Sequence, residues 1–255
     1  MGVYSHSKLS NYEQCPLKYK FRYIDKIEEG ESIEGFLGSQ VHEALHFIYE
    51  QAKIGNVLSL ANVLGYYKDL WDKKFNKDIR IVKKDFTAKD YFEKGLIFIQ
   101  QYYEKNYPFD ENVLSMEQKI LVDLDGSSSF IIQGYIDKLV FDKEKNIYEI
   151  HDYKTSNWLK SQEELDGDRQ LALYAIGVKE LYPDADNVVL KWHFLKHNVV
   201  MSSFRTEMEL ENLKQEVIKL IKEIENCKEY PAKTSTLCHW CGYKNLCQEY
   251  KKMNS

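Results

Sequence analysis

IIQGYIDKLVF (residues 131–141) and IYEIHDYKTS (residues 147–156) each read as a buried strand, hydrophobic and rich in β-branched side chains. Asp137 closes the first run, while Asp152 and Lys154 end the second. A strand turns residues i and i+2 to one face, so Asp152 and Lys154 point the same way. Two carboxylates and an ammonium at the mouth of one sheet are expensive to assemble, because like charges repel and desolvation penalises each of them. A divalent cation resolves that conflict. Magnesium or manganese takes hard oxygen ligands, and the lysine can steer or polarise a water. An isolated D-x-K is more often a charged surface hairpin, so the weight of this reading rests on what surrounds it.

Working outward, residues 5–27 read as a helix entered through a serine-rich cap, and Gly35 and Gly38 punctuate a turn into a second helix, QVHEALHFIYEQAK (40–53). Residues 57–107 carry a helical pattern throughout, with Trp71, Phe75, Phe92, Phe98 and Tyr102 spaced for a core face, and Pro108 ends it. Three strands are expected near 114–124, 129–141 and 147–154, turning at Asp125-Gly126 and Lys145-Asn146. A helix over 163–181 follows, then a strand NVVLKWHFLK (187–196) with a hairpin into VVMSSFRTE (199–207). A charged amphipathic helix over 207–226 precedes the cysteine-rich end. This order gives an α/β fold: a mixed central sheet flanked by helices, with a helical insert before it.

With 255 residues, 44% hydrophobic, nineteen tyrosines and four prolines, the chain can bury a sizeable core and shows no low-complexity stretch or internal repeat. No apolar run approaches the roughly 20 residues that span a bilayer, and MGVYSHSKLSNYEQC lacks a signal-peptide core, so a soluble, cytoplasmic protein without a membrane partner is expected. The net charge of −5 argues mildly against indiscriminate nucleic-acid binding, an argument that weakens where acids bind metal and the ion reverses the local sign. In CPLKYKFRYIDK (15–26), Lys18, Lys20 and Arg22 alternate with aromatics, as on a solvated helix face or a strand-tracking groove.

Cys238-x2-Cys241-x5-Cys247, within LCHWCGYKNLCQEY (237–250), has metal-ligand spacing. A fourth thiolate is then required. Cys15, before Pro16 and on a segment packed by Leu9, Tyr12 and Tyr19, is the candidate; Cys227 reads as a small hydrophobe at a helix end. Structural zinc usually takes paired C-x2-C knuckles, whereas iron–sulfur clusters accept a remote ligand. The three-plus-one spacing favours the cluster and leaves zinc open.

Taken together, these segments resemble the PD-(D/E)XK nuclease superfamily, in particular its RecB-like exonuclease branch with a C-terminal iron–sulfur cluster, similar to CRISPR-associated and AddB-type iron–sulfur nucleases. The resemblance is carried by SHSKLSNYEQCPLKYKFRYI (5–24), GSQVHEAL (38–45), GYIDKL (134–139), Asp152-x-Lys154, RQLALYA (169–175) and the closing cysteine trio. It implies a restriction-endonuclease-like domain over 1–255, with a helical insert at 44–112 and an iron–sulfur module formed by 227–250 with Cys15. It implies that His42, Asp137 and Asp152 hold Mg2+ or Mn2+, and that Lys154, with Asp137 and Asp152, is catalytic. It assigns Gln170 and Tyr174 to substrate contact or bracing, and Cys15, Cys238, Cys241 and Cys247 to a [4Fe-4S] cluster. Glu117 is a further acid near the site. The implied substrate is DNA, single-stranded or with free ends, in repair, recombination or CRISPR-type defence, with a helicase or CRISPR integrase as the kind of partner.

A competing motif overlaps it. His42-Glu43-Ala44-Leu45-His46 spells H-E-x-x-H, the zinc-peptidase signature, which places two histidines one helical turn apart. That reading needs a third ligand, for which Glu50 is close in sequence and Glu93 is available, and it leaves Asp137, Asp152, Lys154 and the cysteines without a role. A non-catalytic nucleic-acid-binding relative is the third class; the intact acid, acid and lysine argue against it.

Overall fold

The computed structural model describes residues 2–253; the first residue and the last two of the expected 1–255 span lie outside them. Five strands form one mixed sheet in the order β1-β2-β3-β4-β5: β1 (Val113–Asp123), β2 (Ile131–Asp142), β3 (Ile147–Lys154), β4 (Val188–Phe194) and β5 (Val199–Phe204). Neighbours are antiparallel except β3 and β4, which run parallel. The parallel pair requires a crossover, supplied by α6 (Gln162–Asp166) and α7 (Arg169–Leu181). The single helix expected over 163–181 breaks at Gly167, because the Asp168 side chain caps a new helix through the Gln170 N–H at 2.8 Å.

Helices cover both faces of the sheet. On one side α7, together with α1 (His6–Gln14) and α8 (Glu207–Asn226), buries Leu9, Ile120, Ile150, Leu171, Leu190, Trp192 and Ile221. On the other, α3 (Ile33–Lys53), α4 (Leu60–Lys74) and α5 (Ala88–Asn106) pack around Val41, Leu45, Tyr67, Trp71, Phe98, Ile99 and Tyr153. Each such side chain contributes about 1.5–3 kcal/mol on burial. The segment read as a helical insert thus supplies the second helical layer.

Three further element boundaries differ from the sequence reading. The N-terminal helix stops at Gln14 and resumes as α2 (Pro16–Tyr19), continuing as a π turn (Lys20–Ile24), since proline at N1 starts a helix but cannot extend one. Gly35 and Gly38 lie inside α3, which begins at the Ser32 cap, whose Oγ accepts from the Gly35 N–H at 3.1 Å. Residues 75–87 are not helical: Arg80 forms a parallel bridge with Ser32, and α5 starts at a capping box of Thr87 and Asp90. The C-terminal stretch carries a 3₁₀ turn (Thr236–Trp240) and α9 (Gln248–Met253).

Between the sheet and α3/α5 lies a polar layer absent from the sequence reading. Lys138 is fully buried; its Nζ donates to Tyr49 at 3.0 Å and Tyr102 at 3.4 Å and pairs with Glu111. Tyr102 is also hydrogen-bonded to Tyr49 at 2.7 Å and to Tyr153 at 3.0 Å. Beside it, His151 Nε2 donates to Glu149 at 3.2 Å, so its Nδ1 accepts from His193 Nε2 at 2.8 Å; burial keeps both imidazoles neutral.

Candidate active site

On the α7 side of the sheet, Asp137 on β2 and Asp152 on β3 face each other, one step along the register from the Lys138–His151 pair. Asp152 and Lys154 share a face, as the period of two requires. Lys154 Nζ donates to Asp152 Oδ1 at 3.0 Å and to Gln170 Oε1 at 2.9 Å, and Gln170 Nε2 donates to the same Oδ1 at 3.1 Å. Gln170, on the first turn of α7, therefore locks the carboxylate and the ammonium together. Tyr174, one turn on, packs against bare backbone: a Cβ on Gly134 would lie 2.1 Å from its ring. Gly134→Ala should displace Tyr174 from this brace and lower the thermal midpoint, which a melting curve checks.

His42 reaches the site from α3. Its Nε2 lies 2.8 Å from the Tyr153 carbonyl, an acceptor only, so this nitrogen carries the proton. Its Nδ1 is turned to Asp137, 3.5 Å from Oδ2, which also accepts the Tyr153 N–H at 2.7 Å. A histidine whose far N–H is held by a carbonyl presents its other nitrogen as a metal ligand. Glu117 on β1 completes the group. It falls between the register pairs Met116–Lys138 and Gln118–Ile136, opposite Asp137, with a left-handed φ of 49°. His42, Glu117 and Asp137 bring three ligand atoms within 4.8 Å of one another, and no other such group occurs among the described residues. Glu117 was flagged in the sequence only as a nearby acid; the bulge between Val113 and Ser115 and the strained backbone are not readable from residue types.

The donor set suits a hard divalent cation: one imidazole and carboxylate oxygens. Asp152 Oδ2 is buried without a hydrogen-bond partner, although Lys154 Nζ lies 2.8 Å away off the bonding direction. A cation facing Asp137 would satisfy that oxygen. Burial alone would push the His42 imidazole down, but Asp137, by charge and hydrogen bond, and Asp152 outweigh it and raise His42 to about 9. Burial pushes Asp152 up to about 6 against the pull of Lys154. The metal-free site therefore holds a proton at pH 7 that a ligating His42 must release. Mn2+ affinity should rise about tenfold per pH unit from 7 to 9 and level off above. Titration calorimetry in buffers of different ionisation enthalpy should count close to one proton released at pH 7; a value near zero would remove His42 from the ligand set.

The H-E-x-x-H reading does not survive the geometry. His46 turns to Glu50 at 3.8 Å, Glu43 accepts from Tyr66 at 3.4 Å, and Glu93 pairs with Lys89 at 3.7 Å. None joins His42, whereas a zinc peptidase needs both histidines on one ion.

Away from this site, Cys15, Cys238, Cys241 and Cys247 line one cavity of about 150 Å³ with Phe21, Trp240 and Tyr243. Backbone N–H groups approach two of the sulfurs, Lys233 at Cys15 (3.5 Å) and Ser235 at Cys238 (3.3 Å). The four sulfurs do not converge as closely as the His42 group does. Cys227 stands apart at the end of α8, its thiol donating to the Glu229 carbonyl at 2.8 Å. No helix among the described residues is long and apolar enough to cross a membrane.

Comparison with known proteins agrees with this architecture. The chain is similar to the crystal structure of a "Putative exonuclease" from Eubacterium rectale, with a TM-score of 0.56 and 14% identity over 98% of this chain and 87% of that one. It is also similar to the crystal structure of SSO0001, with a TM-score of 0.46 and 11% identity over 95% and 85% of the two chains. No curated protein matches. A family model described as the PD-(D/E)XK nuclease superfamily matches residues 3–248. Spanning nearly the whole sequence, and with the acid, acid and lysine gathered at the mouth of a mixed sheet, that match shows that the chain belongs to the PD-(D/E)XK nuclease superfamily.

Proposed function

We propose that the protein is a divalent-metal-dependent deoxyribonuclease of the RecB-like branch, acting as an exonuclease on single strands or frayed ends. The observation that supports this most is the meeting of His42, Glu117 and Asp137 opposite the Asp152–Lys154 pair. His42, Asp137 and Asp152 would hold Mg2+ or Mn2+, with Glu117 as a further carboxylate. An ion held there would neutralise phosphodiester charge and acidify water. Lys154 is held above its ordinary value because Asp152 and Asp137 outweigh its burial, so at neutral pH it is an ammonium. It cannot take a proton from water. It donates instead, orienting the nucleophile and stabilising charge that develops on the phosphoryl oxygens. Gln170 fixes that ammonium, and Tyr174 braces β2 beneath it.

The preference for ends and single strands, and a role in repair, recombination or CRISPR-type defence with a helicase or integrase, follow the family resemblance. End-labelled single-stranded and duplex DNA with Mg2+ or Mn2+ should be shortened progressively, and chelation should stop the reaction. Metal-dependent DNA binding without cleavage would instead favour a non-catalytic relative.

We also propose that Cys15, Cys238, Cys241 and Cys247 hold a [4Fe-4S] cluster. Their shared cavity and the N–H groups directed at Cys15 and Cys238 support it, since donors to sulfur stabilise thiolate-bound clusters. Closing the loop of about 220 residues between Cys15 and the trio costs roughly 5 kcal/mol of chain entropy, which ligation offsets. Anaerobically purified protein should be brown with about four irons per chain, and Cys15→Ser should lose the colour and lower the melting temperature. Colourless protein carrying one zinc per chain would overturn this.

A further inference from the structure

We propose that the groove of about 920 Å³ running from the cysteine segment to the loop after β3 is a track for one unpaired polynucleotide strand, with Trp158 and Trp240 as stacking platforms and Lys18, Arg80 and Lys83 as phosphate partners. This rests on the nuclease reading and locates where its substrate lies.

Of the four tryptophans, Trp71 and Trp192 belong to the core, whereas Trp158 is 66% and Trp240 44% exposed, both on this groove. Indole rings left in water on one concave surface present flat π faces, which every base can stack on. The groove carries four basic side chains against three acids, in a chain of net charge −5. Arg22 is neutralised by Glu29 at 3.2 Å, and Glu34 accepts from the Tyr91 hydroxyl at 2.7 Å. Lys18, Arg80 and Lys83 make no ion pair among the described residues. Arg80 Nη2 donates to the Gly30 carbonyl at 3.2 Å, while its Nε is buried with no partner, an N–H that an anion would satisfy.

The groove reaches the start of the helix that carries His42. Gly35 lines it at the start of α3, a Cβ on Gly38 would sit 3.3 Å from Thr155 Oγ1, and His42 follows on the same helix. Gly35 to His42 is two helical turns, about 10 Å, or roughly three stacked nucleotides. Trp158 lies four residues beyond Lys154. A strand stacked at the tryptophans thus leads its backbone towards the Asp137–Asp152 pair. Stacking requires unpaired base faces, which selects a single strand over a duplex.

The test uses the full chain without added metal, so that binding is read without cleavage. A twelve-nucleotide oligothymidylate should quench tryptophan fluorescence, and Trp158→Ala or Trp240→Ala should each weaken its Kd by about tenfold or more. Trp158→Phe, which keeps a ring, should retain most of the affinity while losing part of the quench. With Mn2+, both alanine variants should raise KM for the oligonucleotide and leave kcat within about twofold. Trp158→Ala, at a position outside the cysteine cavity, should also leave hydrolysis of bis-p-nitrophenyl phosphate, too small to fill the groove, unchanged. An oligonucleotide Kd unaltered in both alanine variants, or an equal loss with a blunt duplex, overturns the track while the nuclease reading stands. Wild-type protein that hydrolyses neither substrate sinks the nuclease reading, and fluorescence quenching still judges the track separately.

Discussion

Lys154→Ala is expected to lower kcat for DNA hydrolysis by about 10²–10³-fold while the fold and the metal affinity persist. Among the described residues the ammonium is the one cationic donor hydrogen-bonded to both Asp152 and Gln170, and its three protons exceed those two bonds. A donor remains to aim at a phosphoryl oxygen or a water. Lys154→Arg should recover little, because a planar fork cannot replace a compact ammonium in this partly buried position. Asp137→Ala should give a similar loss by another route: metal affinity collapses, and the Tyr153 N–H loses its acceptor. Comparing kcat with calorimetric Mn2+ binding separates the two. If Lys154→Ala cleaves within threefold of wild type, the lysine is structural and the mechanism proposed above fails.

Glu111→Ala is expected to cost about 3 kcal/mol of stability, although Glu111 belongs to the buried polar layer and not to the His42–Glu117–Asp137 group. Lys138 is wholly buried, and burial pushes its ammonium down while Glu111, by charge and hydrogen bond, opposes that push. Removing the carboxylate leaves that charge hydrogen-bonded to the Tyr49 and Tyr102 hydroxyls, with the more distant charge of Glu149 still favouring it. The figure sits at the low end for buried pairs because Glu111 is 34% exposed and water can partly replace it. Lys138→Met, which removes the charge along with the need for a partner, should be neutral or stabilising. Urea unfolding with an unchanged m-value reads both. Equal losses in the two variants would show that packing rather than charge compensation holds this layer.

The carboxylates and the lysine were legible because strand alternation is strict. A run of β-branched residues ending in Asp152-x-Lys154 can only turn both charges to one face. The same rule, applied to Lys138 beside Asp137, would have sent that lysine to the opposite face of a sheet covered on both sides and so announced the buried polar layer. It was passed over because a lysine reads as solvent-exposed. The span of α8 was legible from its charged amphipathic pattern, whereas the capping boxes that start α8 at Thr206 and Glu209, and α5 at Thr87 and Asp90 inside what read as one continuous helix, are signals the sequence reading did not use. Gly35 and Gly38 misled for a physical reason: Gly38 lies where α3 runs close to Thr155, so a glycine taken for a breaker serves close approach. Glu117 and the groove depend on a strand bulge and on non-local packing, which residue types do not encode.

Tyr153 has a consequence of its own. Its backbone N–H is given to Asp137 and its carbonyl accepts from His42, and its phenol is moored among the tyrosines on the reverse of the sheet. Reactivity can therefore be adjusted from behind. A slight slide of α5, where Tyr102 sits, pulls on the strand that aims the imidazole, and displacements near 1 Å at such centres are worth up to about a hundredfold in rate. A substitution in that layer would reach the aim of His42 without altering any side chain that faces the site.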